Sequence, residues 1–325
     1  MTETADLFGP VAADLELIEG ALMRAIDADP AVVAAPMAAL FEAGGKRIRP
    51  ALVLLAARCG DYDPNRLTPA AMAVELTHAA TLVHDDVIDR SKVRRGRPTV
   101  AARLGDEAAI VVGDYYFAKA YEQAALTASP DVVAILARTV MKICAGEVRQ
   151  QATRFRFSTG IAEYMERIEA KTATLVSACC DIGALLGGLD GKERSALHSY
   201  GRQLGLAFQI ADDLLDYTGS EGEVGKPIGH DVAEGFATLP LMLAREDPAV
   251  AAHQLAAILD DGRKLTENQA SDVVRLVRAS QGPKRALERA RNHAAMALGE
   301  LVALPPGAVT QTLAGLSEYV VSRKL

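Results

Sequence analysis

The chain predicts an all-α fold, a single domain over 1–325 assembled as a bundle of many helices. Three features point there. Half of its 325 residues are hydrophobic, yet aromatics make up only 5% and tryptophan is absent. A core dominated by Ala and Leu favours closely packed helices over sheet. Apolar residues recur at helical spacing from about Val11 to Arg323, with turn signals between. No convincing strand ladder, low-complexity stretch or domain linker interrupts them.

Taken in order, Gly44-Gly45-Lys46-Arg47-Ile48-Arg49-Pro50 places three cations where a helix should begin. Free N–H groups and the positive end of the dipole there suit an anion. Thr68-Pro69 is expected to open the next helix with an N-cap and a proline in the first turn, and Ser129-Pro130 to open another. Long helical patterns cover Ile161 to Leu189 and Lys192 to Tyr217. Further helices are expected over Glu267–Ser280, Pro283–Leu304 and Ala308–Arg323. The irregular segment from Thr218 to Thr238, rich in glycine, reads as a loop beside a site.

Charge and cysteine usage exclude several classes. With 42 acidic and 35 basic residues the net charge is −7, which argues against nucleic acid as a partner. The opening residues are acidic and unlike a signal peptide, and the weakly charged run Thr172–Leu189 contains Asp181 and glycines, so no membrane span is expected. Cys59, Cys144, Cys179 and Cys180 show no CxxC spacing and read as reduced thiols of a cytoplasmic protein.

The most informative pattern is a pair of DDxxD clusters, Asp85-Asp86-Val87-Ile88-Asp89 and Asp212-Asp213-Leu214-Leu215-Asp216. Residues four apart share one face of a helix, roughly 5–6 Å apart at Cβ. Asp85 with Asp89, and Asp212 with Asp216, can each converge on a point. A lone acidic cluster is usually a solvated face, but two of the same spacing in apolar surroundings are not. An EF-hand is disfavoured, because its Ca²⁺ site is a glycine-containing loop. Mg²⁺ takes one or two carboxylates plus water and phosphate oxygens, so two facing clusters suggest a cleft in which Mg²⁺ ions hold a diphosphate. Arg94-Arg95-Gly96-Arg97-Pro98, just beyond Asp89, adds guanidinium forks matched to phosphate.

With these motifs the chain resembles the trans-isoprenyl diphosphate synthases of the polyprenyl synthetase family, most of all the long-chain polyprenyl diphosphate synthases. The resemblance runs in order through Gly44–Pro50, Glu75-Leu76-Thr77-His78, His84–Asp89, Arg94-Arg95-Gly96, Gly113-Asp114, Gly146–Gln150, Lys171-Thr172, Gly205–Asp216 and Gly225-Lys226-Pro227. It implies an isoprenoid synthase fold around a deep central cavity and a homodimer. It also implies condensation of isopentenyl diphosphate with an allylic prenyl diphosphate to give a longer all-trans product. Asp85, Asp89 and Asp212 would serve three Mg²⁺ ions, supported by Asp86, Asp213 and Asp216. Lys46, Arg49, His78 and Arg95 would bind isopentenyl diphosphate; Arg94, Lys171, Gln209 and Lys226 would hold the allylic diphosphate, with Thr172 near the reacting carbons. Phe236 departs from the Lys that many members carry there, which removes one cationic contact.

Product length is read from the residues before Asp85. In the family, bulky side chains one or two turns earlier block the cavity. Here Ala80, Thr81, Thr77 and Val74, then Ala73 and Ala70, leave about three turns open, and one turn of roughly 5.4 Å approximates one isoprene unit. A product longer than farnesyl diphosphate is expected, with Met141 or Ile143 as candidate floor. A geranylgeranyl or farnesylgeranyl product is the alternative. A terpene cyclase or a non-catalytic subunit of a heteromeric synthase fits less well, because both Asp clusters and the cations for a second diphosphate are kept.

Overall fold

A computed structural model describes residues 7–219, 228–248, 251–260 and 262–322. The expectation of an all-helical chain holds, with one small exception. Val93–Arg94 pairs with Arg97–Pro98 in an antiparallel ladder of two residues per strand. Arg95 and Gly96 between them both have positive φ, 50° and 73°, as a two-residue type I′ hairpin turn requires. A ladder this short leaves no alternation to read, and it was not foreseen.

The chain divides into two compact units. The first comprises Met1–Val140, Val176–His198 and Leu301–Gly315; the second comprises Met141–Leu175, Ser199–Glu300 and Leu316–Leu325. In the first unit the helix Pro64–Ile88 is buried on nearly every side from Leu67 to Ala80. It packs on Ile48–Ala57 and, most extensively, on Asp106–Leu126. A helix without a polar face has no solvent side to choose, so its small residues meet neighbours all round.

That helix begins earlier than the Thr68-Pro69 signal suggests. Asp63 is the N-cap, its side chain accepting the Asn65 N–H at 3.0 Å, and Pro64 occupies the first turn. Pro69 lies inside the helix. Two cap-and-proline signals stand five residues apart, and the earlier one is the start. Ser129-Pro130 behaves as expected, with a helix over Pro130–Ala152.

The second unit is organised around Phe157, Tyr164, Ile168, Leu206, Ile210 and Tyr217, with Leu239, Leu241 and Leu243 packed among them. Its long helix Gly191–Thr218 begins within the first unit and carries the second Asp cluster near its C-terminal end. The pattern expected to run unbroken over Ile161–Leu189 is divided: α-helix over Ile161–Ile168, a π-turn over Glu169–Ala173, then α-helix over Thr174–Leu186. Among the described residues no helix is long and apolar enough to cross a membrane.

Candidate active site

In the first unit the loop before Ile48–Ala57 turns sharply at Arg47, whose φ of 50° is left-handed. A non-glycine residue there is strained, and its side chain supplies the compensation. The Arg47 guanidinium donates to Glu19 Oε1 at 2.9 Å, to buried Glu75 at 3.2 Å and to the Phe41 carbonyl at 3.1 Å. Arg47 is thus a clamp, and the turn it holds presents its two cationic neighbours, Lys46 and Arg49. Arg49 Nε is, among the described residues, the buried side-chain nitrogen or oxygen without a hydrogen-bond partner. Such a group in a native fold calls for an absent acceptor.

His78, on the helix Pro64–Ile88, faces this cationic set. Burial lowers its pKa first, and Arg49, Arg95, Arg94 and Arg47 lower it further. It is therefore a neutral imidazole able to donate one N–H to an anion. The same crowding, after burial, lowers the pKa of Arg95 through Arg47 and Arg94. Cations held this close to one another favour a polyanion among them.

Asp85 and Asp89 lie one turn apart. Asp89 caps the helix, and its N–H donates to the Asp85 carbonyl at 2.8 Å. Both are partly exposed, whereas Asp86 is buried, about 100° round the helix from Asp85. Its carboxylate is taken by Arg94, through Nε at 2.9 Å and Nη2 at 2.9 Å. The structure thus pairs Asp86 and Arg94 with each other. Beside Asp85, His84 fits against Gly113, where a Cβ would lie 2.1 Å from His84 Nε2.

In the second unit the π-turn carries Lys171 and Thr172. A Cβ on Gly146 would meet Ala170 at 2.6 Å, so only glycine lets the helix Pro130–Ala152 approach this wider turn. Arg202 pairs with Glu169 at its start. Turns of this type recur at functional sites because they re-aim side chains. Lys171 Nζ donates to Glu147 at 2.8 Å. The Thr172 hydroxyl donates to Gln209 Oε1 at 2.6 Å, Gln209 Nε2 donates to Asp213 at 2.7 Å, and the Tyr164 hydroxyl donates to the other Asp213 oxygen at 2.8 Å.

Of the three aspartates of the second cluster only Asp212 is partly exposed. Asp213 and Asp216 are buried, and Asp216 accepts the backbone N–H groups of His230 and Asp231, both at 3.1 Å. Burial pushes Asp213 up to about 7 and Asp216 up to about 8, with Asp231 reinforcing both. A bound cation would oppose both causes. The donor set fits a hard divalent ion: Asp85 with Asp89, and Asp212 with Asp216, are carboxylates one helical turn apart.

Comparison with known proteins decides what these two sets belong to. The family model of polyprenyl synthetases matches residues 30–277. The chain belongs to the polyprenyl synthetase family. It is 38% identical to heptaprenyl diphosphate synthase component 2 of Geobacillus stearothermophilus over 310 residues, 95% of this chain and 96% of that one. Its fold matches a polyprenyl synthase from Caulobacter crescentus, solved with calcium and isoprenyl diphosphate, at a TM-score of 0.93 and 35% identity over 99% and 98% of the two chains. A decaprenyl diphosphate synthase from Rhodobacter capsulatus matches at 0.90 with 33% identity over 98% of each.

As a member of this family the chain is a prenyltransferase, and the matched span contains every site residue named from the sequence. Lys226 lies outside the described residues. At Phe236, where the family often has Lys, the ring sits 5.7 Å beneath the Arg154 guanidinium, which also pairs with Glu234. Several contributors escaped sequence reasoning. Tyr164 and Asp231 stand in no motif, and a buried tyrosine or a helix-start aspartate has no spacing that announces it. Glu147 stands in one, but its ion pair with Lys171 depends on a turn that the sequence pattern does not show.

Proposed function

We propose that this protein condenses isopentenyl diphosphate with an allylic prenyl diphosphate, in the presence of Mg²⁺, to give an all-trans long-chain polyprenyl diphosphate. The observation that carries this is the convergence of Arg49, Arg95 and neutral His78, with a buried guanidinium nitrogen lacking an acceptor, in the unit that also bears the Asp85–Asp89 pair. Lys46, Arg49, His78 and Arg95 bind the isopentenyl diphosphate; Lys171 and Gln209 serve the allylic diphosphate, joined by Lys226. Arg94 joins them at the allylic diphosphate, steered by its ion pair with Asp86.

Asp85, Asp89 and Asp212 would hold the Mg²⁺ ions, three being the expected number, with Asp86, Asp213 and Asp216 behind them. When bound, Mg²⁺ stabilises the charge that builds on departing diphosphate. The cationic side chains add to that stabilisation. The allylic cation left behind is attacked by the isopentenyl double bond, and the adduct loses a proton to the released diphosphate. Thr172 and Gln209 offer oxygen dipoles to the cation, and apolar walls keep water from quenching it.

A long product is read from the small size of Thr77, Ala80, Val74, Ala73 and Ala70 and of Thr81 before the first cluster. Of the two candidate floor residues Ile143 is buried and Met141 is 62% exposed, which favours Ile143. Heptaprenyl and decaprenyl synthases among the relatives support the same length. The working form is a cytoplasmic homodimer, consistent with four free thiols. A relative named as one component of a synthase makes a second, different chain the competing arrangement.

The test is chromatography of products from labelled isopentenyl diphosphate with geranyl, farnesyl and geranylgeranyl primers. Turnover to products beyond twenty-five carbons supports the reading. A stop at twenty or twenty-five carbons gives the short alternative. Binding without turnover makes the chain a non-catalytic subunit, and a hydrocarbon formed from geranylgeranyl diphosphate alone makes it a cyclase.

A further inference from the structure

The hydrogen bonds through Gln209 run in one direction. Asp213 accepts twice, from the Tyr164 hydroxyl at 2.8 Å and from Gln209 Nε2, an amide nitrogen that can only donate, at 2.7 Å. The Gln209 amide is thereby turned with its carbonyl toward Thr172, whose hydroxyl donates at 2.6 Å. A hydroxyl that commits its hydrogen this way keeps its lone pairs for whatever lies on its other side. With the chain reversed, Thr172 would aim a hydrogen, and its positive partial charge, at the same place.

Tyr164 is what closes the chain at its buried end. Its ring is fully buried, and burial together with Asp213 keeps the phenol protonated, so it remains a donor. By filling the second carboxylate oxygen it fixes the plane of Asp213 and hence the face that Gln209 must meet. It stands eight residues before Thr172, on the α-helical turns that precede the π-turn.

We propose that Tyr164 is a positioning residue for prenyl transfer, acting through Asp213 and Gln209 to set the polarity of the Thr172 hydroxyl so that oxygen lone pairs meet the cationic carbon. The proposal rests on the reading above that Thr172 and Gln209 serve the reacting carbons. It assigns Tyr164 no contact with substrate or metal. Its effect is on the bond-forming step and not on diphosphate affinity.

The experiment compares single-turnover rates of Tyr164→Phe, Thr172→Val and the double variant, together with the KM for the allylic diphosphate and the Mg²⁺ concentration for half-maximal rate. Each single variant is expected to slow the step about tenfold, the scale of one lost polar contact to a charged network. For Tyr164→Phe both KM and Mg²⁺ requirement stay within about twofold of the parent. The double variant is no slower than Thr172→Val, because the end of the chain is already gone. If Thr172→Val reacts at the parent rate, the reading of Thr172 fails and this inference falls with it. If Thr172→Val is slow but Tyr164→Phe adds its full effect to it, or raises the Mg²⁺ requirement instead, the role of Tyr164 alone is overturned. Should Tyr164→Phe not fold, 3-fluorotyrosine at position 164 keeps the packing and changes only the acidity of the hydroxyl. A shifted single-turnover rate then supports the relay, and an unchanged one overturns it.

Discussion

The two DDxxD clusters have identical spacing and opposite surroundings. In the first, Asp85 and Asp89 sit partly exposed at the end of a helix whose His78 lies among Arg49, Arg95, Arg94 and Arg47. In the second, Asp213 and Asp216 are buried, and their oxygens already accept from Tyr164, Gln209 and two backbone N–H groups. The first cluster's neighbourhood therefore has an excess of positive charge awaiting an anion. The second has an excess of negative charge awaiting a cation. A five-residue motif specifies a carboxylate spacing; the environment decides what each carboxylate costs and what it attracts.

Removing the exposed carboxylates should cost most. Asp85→Ala and Asp212→Ala are each expected to reduce turnover by on the order of a thousandfold or more while leaving helical circular dichroism intact, since electrostatic stabilisation of the leaving group contributes most of the acceleration in such reactions. Asp213→Ala should lose activity and thermal stability together, because it strands Tyr164 and Gln209 in the core. If all three behaved alike in stability, the contrast between exposed and buried carboxylates would disappear.

The cationic side gives the next effect. Arg49→Gln should raise the KM for isopentenyl diphosphate by about tenfold to a hundredfold, the scale of a lost charge-assisted bidentate contact. The KM for the allylic primer should move far less. Lys171→Gln should show the reverse preference, and it also frees Glu147 from its partner. Equal effects on both substrates would dissolve the division of labour between the two regions. Smaller in rate but visible in product is Thr81→Phe, one turn before Asp85 on a helix whose neighbouring faces are filled with Ala and Thr. It should shorten the main product, and an unchanged chain-length distribution would show that the wall lies elsewhere.

Much of this architecture was legible because its signals are local. Helical periodicity, the Ser129-Pro130 start and the placing of cations ahead of Ile48 each follow from a few neighbouring residues. The start of the Pro64–Ile88 helix was misplaced because Thr68-Pro69 offers the same chemistry as Asp63-Pro64, and nothing local ranks them. The π-turn was invisible because Thr172–Leu186 is buried on nearly every side, so a one-residue shift in the apolar spacing has no polar face to register against. The pairing of Asp86 with Arg94 joins residues eight apart through a hairpin of two residues per strand. Tyr164 reaches Asp213 across 49 positions, a distance at which a single sequence carries no pairing signal.

The contrast between clusters has a consequence for stability that is smaller than any effect on rate, yet more direct. The folded-state pKa values of Asp213 and Asp216 stand near 7 and 8, above the 3.8 of a free aspartate. A carboxyl raised in this way favours folding while it is protonated. Its contribution is complete below about pH 4 and is lost as the pH climbs through the folded-state values. The metal-free protein should therefore melt about 3–5 °C lower at pH 8.5 than at pH 5.5. Mg²⁺ binds the ionised form, so it should raise the melting temperature more at pH 8.5 than at pH 5.5. Asp216→Asn removes one of the two charges and should flatten the pH dependence without metal. Asp85→Asn, at a partly exposed position, is the control and should change the pH dependence less. A melting temperature indifferent to pH in the parent, or a flattening caused equally by both variants, would mean that the two motifs do not differ in the way their surroundings imply.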